Sequence, residues 1–152
     1  MPAPPPLTFA AYLPTGGEID PGPLSERLLD LGARRLLPRV SPEGRMRFLD
    51  APPGAGLTPD AAGMAAPPET AAELRPDLVI APLLAFDRRG GRLGQGGGHY
   101  DRALAGLRSS GQVFVLGLAY SGQEVDSLAL EPHDQKLDAV LTETGYRPLP
   151  EA

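Results

Sequence analysis

Apolar and polar positions fall into blocks along the chain, and the period changes from one block to the next. Residues 7–13 are apolar around one Thr and one Tyr and stop at Pro14-Thr15-Gly16-Gly17, which predicts a buried strand closed by a turn. Leu24, Leu28, Leu29 and Leu31 then recur at near-helical spacing, with Gly32 where a helix usually stops, so a helix is expected over residues 23–31. Residues 35–40 and 46–49 read as short strands joined by the hairpin-like turn Ser41-Pro42-Glu43-Gly44. Residues 78–86 form a continuous apolar run, the pattern of a central strand buried on both faces. Helical spacing returns over residues 100–107, a second buried strand follows over 113–120, residues 122–128 suggest a short helix, and 139–142 a last strand. Strand, loop, helix and strand in succession make a βαβ unit, so the expected fold is α/β with a largely parallel central sheet.

At 152 residues the chain has the length of one domain, with 41% hydrophobic and 22% charged residues, proportions that support a folded core. Residues 1–6, mostly Pro and Ala, read as an extended lead-in, which leaves 7–152 as a single domain. The Pro-, Ala- and Gly-rich residues 50–68 read as a surface excursion inside it, one that could cover a pocket. The net charge of −5 argues against nucleic-acid binding by bulk electrostatics. The absence of cysteine excludes a disulfide framework, a thiolate metal site and a cysteine nucleophile. No segment reads as a signal peptide or a bilayer span, so a cytoplasmic location and no membrane partner are expected.

Candidate chemistry concentrates in residues 86–102, where six glycines are interleaved with four arginines. A strand leading through such a loop into a helix gathers unpaired backbone N–H groups around one point, a geometry suited to phosphate. Neither the P-loop nor the dinucleotide-binding fingerprint fits the spacing of Gly94, Gly96, Gly97 and Gly98, and a mobile glycine turn is the plain alternative. Arg92 and Arg102 bracket the glycines, and Asp101 stands where a carboxylate could hold Mg²⁺, an ion that needs only one or two protein carboxylates. Asp134 is the remote candidate for a second, against the bland reading of a solvated or capping Asp. His99 could touch a ligand from inside the loop, whereas His133 is expected to bond locally. Glu18 lies on the same sheet edge as the loop if the two strands are parallel; the other reading is that Glu18 and Asp20 favour the dipole of the following helix. No Gly-x-Ser-x-Gly elbow is present, so covalent catalysis is not expected.

Four blocks in one order resemble the 5-formyltetrahydrofolate cyclo-ligase family, also called methenyltetrahydrofolate synthetases. They are Gly17-Glu18-Ile19-Asp20; the apolar run 78–86 with Asp87; Arg92-Leu93-Gly94-Gln95-Gly96-Gly97-Gly98-His99-Tyr100-Asp101-Arg102; and Pro132-His133-Asp134 with Leu137-Asp138. The resemblance implies a Rossmann-like three-layer sandwich, similar to the NagB/RpiA/CoA-transferase-like fold. It implies ATP- and Mg²⁺-dependent conversion of 5-formyltetrahydrofolate to 5,10-methenyltetrahydrofolate with release of ADP and phosphate, by a monomer whose partners are ATP and the reduced folate. On the same ground Arg92, Leu93, Gly94, Gln95, Gly96, Gly97, Gly98, His99 and Tyr100 would wrap the nucleotide. Glu18 and Gln95 to His99 would meet the folate, Asp101 and Asp134 the metal, and Arg92, Tyr100 and Arg102 would be the catalytic side chains.

Two departures accompany the likeness. The family normally opens with a basic helix carrying a Lys and an Arg four apart, where this chain has Met1-Pro2-Ala3-Pro4-Pro5-Pro6, and His99 replaces an aromatic residue. A relative that binds nucleotide or folate with weakened or no turnover is therefore the alternative, and a sugar-phosphate enzyme on a similar fold is a third reading.

Overall fold

The computed structural model describes residues 7–94 and 98–150. In chain order they form β1 (Thr8–Ala10), α1 (Gly22–Asp30), β2 (Arg34–Val40), β3 (Met46–Asp50), β4 (Thr58–Pro59), β5 (Ala65–Ala66), β6 (Leu78–Ala81), β7 (Ala85–Phe86), β8 (Arg92–Leu93), α2 (His99–Ser110), β9 (Phe114–Leu118), a 3₁₀ turn (Ser121–Gln123), β10 (Ala139–Thr142) and β11 (Gly145–Pro148). Seven strands make the main sheet in the order β11-β10-β9-β6-β1-β2-β3. Its interior pairings are parallel, and only the outer strands β3 and β11 run antiparallel to their neighbours.

Alternation along each central strand feeds two cores. Ala10, Leu36, Val79 and Val115 point to the face covered by α2, whose Tyr100, Ala103, Leu104 and Leu107 form a stripe at helical spacing. Phe9, Leu37, Ile80 and Leu118 point to the other face, where Leu24, Leu28 and Leu29 of α1 pack. Helices on both faces make the three layers that a parallel sheet requires.

The ends of α1 follow local chemistry. Asp20 accepts the Gly22 N–H at 2.9 Å. At the other end Gly32, at φ +93°, lets Ala33 N–H reach Leu28 O and its own N–H reach Leu29 O, a Schellman closure. Leu31 falls at the C-cap, outside the repeating face, and is 81% exposed rather than packed.

Several expectations need correction. The apolar run 78–86 is two strands, not one: β6 ends at Ala81 paired with Gly117, and Pro82, which has no N–H for a ladder, carries the chain out of the sheet. Ala85 and Phe86 pair instead with Leu93 and Arg92 in a separate ribbon. The helix expected over 122–128 amounts to the single turn Ser121–Gln123; beyond it Val125 N–H donates to Phe86 O and the chain runs alongside β7. The first strand's ladder spans Thr8–Ala10, although Ala11 and Tyr12 stay buried. Strand β11 lies beyond the last expected strand, and all four of its residues are exposed. Residues 50–68 carry the β4–β5 ribbon, tied to β2 by Asp60, which accepts the Val40 N–H at 2.9 Å. Residues 1–6, the expected lead-in, lie outside the described residues. Among the described residues no helix is long and apolar enough to cross a membrane.

Candidate functional site

The chain winds from β1 through α1 to β2 on one side, then from β6 through α2 to β9 on the other, with α1 and α2 on opposite faces. The two windings diverge between β1 and β6, and such a switch point opens a crevice at the carboxyl ends of the strands. A cleft of about 520 Å³ lies there. Tyr12, Thr15 and Glu18 come from the loop after β1, Arg92 to Gly94 from the ribbon after β6, and Gly98 to Asp101 from the start of α2. His133 and Asp134 close one side, and Val40, Met46 and Met64 form an apolar wall.

Arg92 sits at the junction of these segments, its side chain only 6% exposed. Its Nη1 donates to Pro82 O at 2.8 Å, its Nη2 lies 3.9 Å from Asp101 Oδ1, and its guanidinium stands 5.5 Å from the Tyr100 ring centroid, within cation–π range. Nε is buried with no hydrogen-bond partner among the described residues. Burial pulls the guanidinium pKa below its usual value, opposed by the fields of Asp101, Tyr100, Asp134 and Glu18. A buried cation with a donor left unpaired among the described residues is costly unless an acceptor reaches it. Gly94 permits the packing here, since a Cβ on it would fall 2.9 Å from Arg92 Nη1.

The other expected residues divide. Asp101, in the first turn of α2, accepts the Gln135 N–H at 2.9 Å through Oδ1, which draws the segment bearing Asp134 against the helix start. Asp134 accepts the Glu131 N–H at 2.8 Å through Oδ2. Each carboxylate thus spends one oxygen on the backbone. No cluster of three or more candidate metal ligands exists among the described residues. Glu18 and Asp20 separate in role: Asp20 serves the start of α1, whereas Glu18 lines the cleft, its Oε1 accepting the Thr15 N–H and hydroxyl at 2.9 and 3.1 Å.

Leu93, Gly94, Gly98, His99 and Tyr100 all line the cleft, and Gln95, Gly96 and Gly97 lie outside the described residues. His133 also lines it, while contacting its neighbours Glu131 and Asp134 at 3.5 and 3.6 Å. Arg102 is not brought there. It lines the adjacent groove between residues 43–48 and α2, where Nη2 meets Gly44 O at 3.4 Å.

Sequence reasoning missed Tyr12 and the apolar wall. The Tyr12 hydroxyl donates to Ile19 O at 2.6 Å, and burial, aided by Glu18 and Asp20, pushes its pKa well above the usual phenol value. Tyr100 is shifted the same way, chiefly by burial. A signal existed for Val40 and Met46, which flank a turn at the carboxyl end of β2, the same sheet edge as Glu18; Met64 had none.

Residues 7–143 match the model of the 5-formyltetrahydrofolate cyclo-ligase family. The 5-formyltetrahydrofolate cyclo-ligase of Escherichia coli K12 is 36% identical over 141 residues, spanning 89% of this chain and 77% of that protein. The Mycolicibacterium smegmatis cyclo-ligase is 35% identical over 146 residues, spanning 89% and 73%. Among solved structures, the 5,10-methenyltetrahydrofolate synthetase of Aquifex aeolicus superposes with a TM-score of 0.75 at 31% identity over 96% of this chain and 73% of that one. The synthetase of Mycoplasma pneumoniae gives 0.66 at 28% identity over 88% and 71%.

Proposed function

The chain belongs to the 5-formyltetrahydrofolate cyclo-ligase family, and on that footing we propose that its cleft converts 5-formyltetrahydrofolate to 5,10-methenyltetrahydrofolate with ATP and Mg²⁺, releasing ADP and phosphate. The observation that carries the reading is the pairing, in one cleft, of a buried guanidinium with two carboxylates and an apolar wall.

The chemistry asks for positioning and charge neutralisation more than for a protein nucleophile. The formyl oxygen is a poor leaving group; taking the γ-phosphoryl of ATP makes it a good one, and N10 of the same folate closes on the activated carbon as phosphate departs. Arg92 would neutralise phosphate oxygens, with the Tyr100 ring at cation–π distance beside its guanidinium. Asp101 and Asp134 would hold Mg²⁺, which supplies charge neutralisation to the transferring group. The start of α2, the positive end of the helix dipole, would add to that field. Glu18, oriented by Thr15, would accept from N–H groups of the pterin, and Val40, Met46 and Met64 would cover its apolar surface.

The test is purified protein with 5-formyltetrahydrofolate, ATP and Mg²⁺, followed by the absorbance of the methenyl product. Product that requires both ATP and Mg²⁺ is the expected result. Folate binding without product would overturn the catalytic reading, and turnover in the presence of a chelator would remove the metal from it.

A further inference from the structure

Asp87 does not line the cleft, yet among the described residues it is the one acidic side chain buried completely, at 0% exposure. Its two oxygens face two different parts of the chain. Oδ1 accepts the N–H groups of Arg89 at 3.0 Å and Gly91 at 2.8 Å, closing the turn that delivers Arg92. Oδ2 accepts the N–H of Leu128 at 2.9 Å, 41 residues away, with Arg89 Nη2 at 3.4 Å. Burial alone would raise the carboxyl pKa, but these donors hold it below the usual carboxylate value, which favours the anion.

Leu128 begins the cleft wall that ends at Asp134. The turn around Asp87 is stitched to that segment elsewhere too: Val125 N–H donates to Phe86 O and Leu137 N–H to Gly90 O, both at 2.8 Å, and Arg89 Nη2 reaches Ser127 Oγ at 2.8 Å. Asp87 adds a fully buried side-chain link between the two, and only a carboxylate can accept on both oxygens at once. An amide in its place would set an NH₂ against one set of donors.

We propose that Asp87 is a positioning residue for turnover, an internal clamp that fixes the wall of residues 128–134 against the Arg92 side of the cleft. The proposal rests on the functional reading above for its kinetic readout alone. Asp87→Asn keeps the shape and severs one side of the clamp, and Arg89→Ala removes the outer bridge at an exposed residue.

Amide hydrogen exchange and steady-state kinetics on both variants and the wild type test it. For Asp87→Asn the expected result is at least about tenfold faster exchange at residues 128–134, with β6 and β9 unchanged, and a fall in kcat of roughly 10- to 100-fold while KM for folate and ATP stays within about twofold. Arg89→Ala shifts both readouts in the same direction by less. Unchanged exchange at 128–134, faster exchange with unaltered kcat, or a loss confined to KM overturns the proposal. If Asp87→Asn does not fold, Arg89→Ala decides alone by the same two readouts. Absence of turnover in the wild type would sink the functional reading, and the clamp is then judged by the exchange pattern.

Discussion

Arg92 Nη2 lies 3.9 Å from Asp101 Oδ1 across the join between ribbon and helix, close enough for the charges to attract and too far for a hydrogen bond. The guanidinium is therefore held mainly by Pro82 O and the Tyr100 ring, which leaves it part of its capacity for a ligand.

That arrangement makes the fork matter more than the charge. Arg92→Lys keeps the cation but loses the forked guanidinium that bonds Pro82 O and faces the Tyr100 ring, so kcat/KM should fall by roughly 10²- to 10³-fold, measured with the methenyl-product assay.

Asp101→Asn preserves volume and one acceptor for Gln135 N–H while removing the charge. Turnover should drop about 10²-fold or more and the Mg²⁺ concentration for half-maximal rate should rise, seen in a magnesium titration at saturating ATP. An unchanged magnesium dependence would take Asp101 out of the metal site.

Gly98 precedes α2 at φ +68°, and a Cβ there would fall 2.9 Å from Arg102 Nη1. The long Arg102 side chain can swing aside, so Gly98→Ala should cost mainly the left-handed backbone, about 1 kcal/mol in a denaturant midpoint analysis.

The tyrosines predict how stability depends on pH. Burial raises both Tyr12 and Tyr100 above the unfolded phenol value of about 10, so each favours its neutral form in the fold. The unfolded chain releases these protons first. Their contribution is fully present below about pH 10 and is lost as pH rises from there toward the folded pKa. Tyr100→Phe should flatten the alkaline limb of a melting-temperature profile and leave the range from pH 6 to about 9 unchanged in slope.

The βαβ core was legible because its signals were redundant. The residues of β6 and β9 are apolar on both faces, and α2 repeats Tyr100, Ala103, Leu104 and Leu107 on one side. Hydropathy could not show that the run breaks at Pro82, since Leu83 and Phe86 are as buried outside the sheet as Val79 is inside it. Strand β11 carried no periodic signal, because an exposed edge strand is held by its neighbour's backbone rather than by a core. Arg92, Asp101 and Glu18 were marked by charge beside glycine, whereas Tyr12 and Met64 become cleft residues only through tertiary placement. Arg102 shows the limit of adjacency: one residue after Asp101, it has turned about 100° around the helix and faces another groove.

The position of the cleft at the seam between the two windings also bears on how the chain holds together. Its walls come from residues before 66 on one side and after 81 on the other. A molecule seated there and touching both acts as a removable cross-link between the earlier and later halves of the polypeptide, so saturating it should delay the opening of β1 from β6 and make the melting of both halves more cooperative.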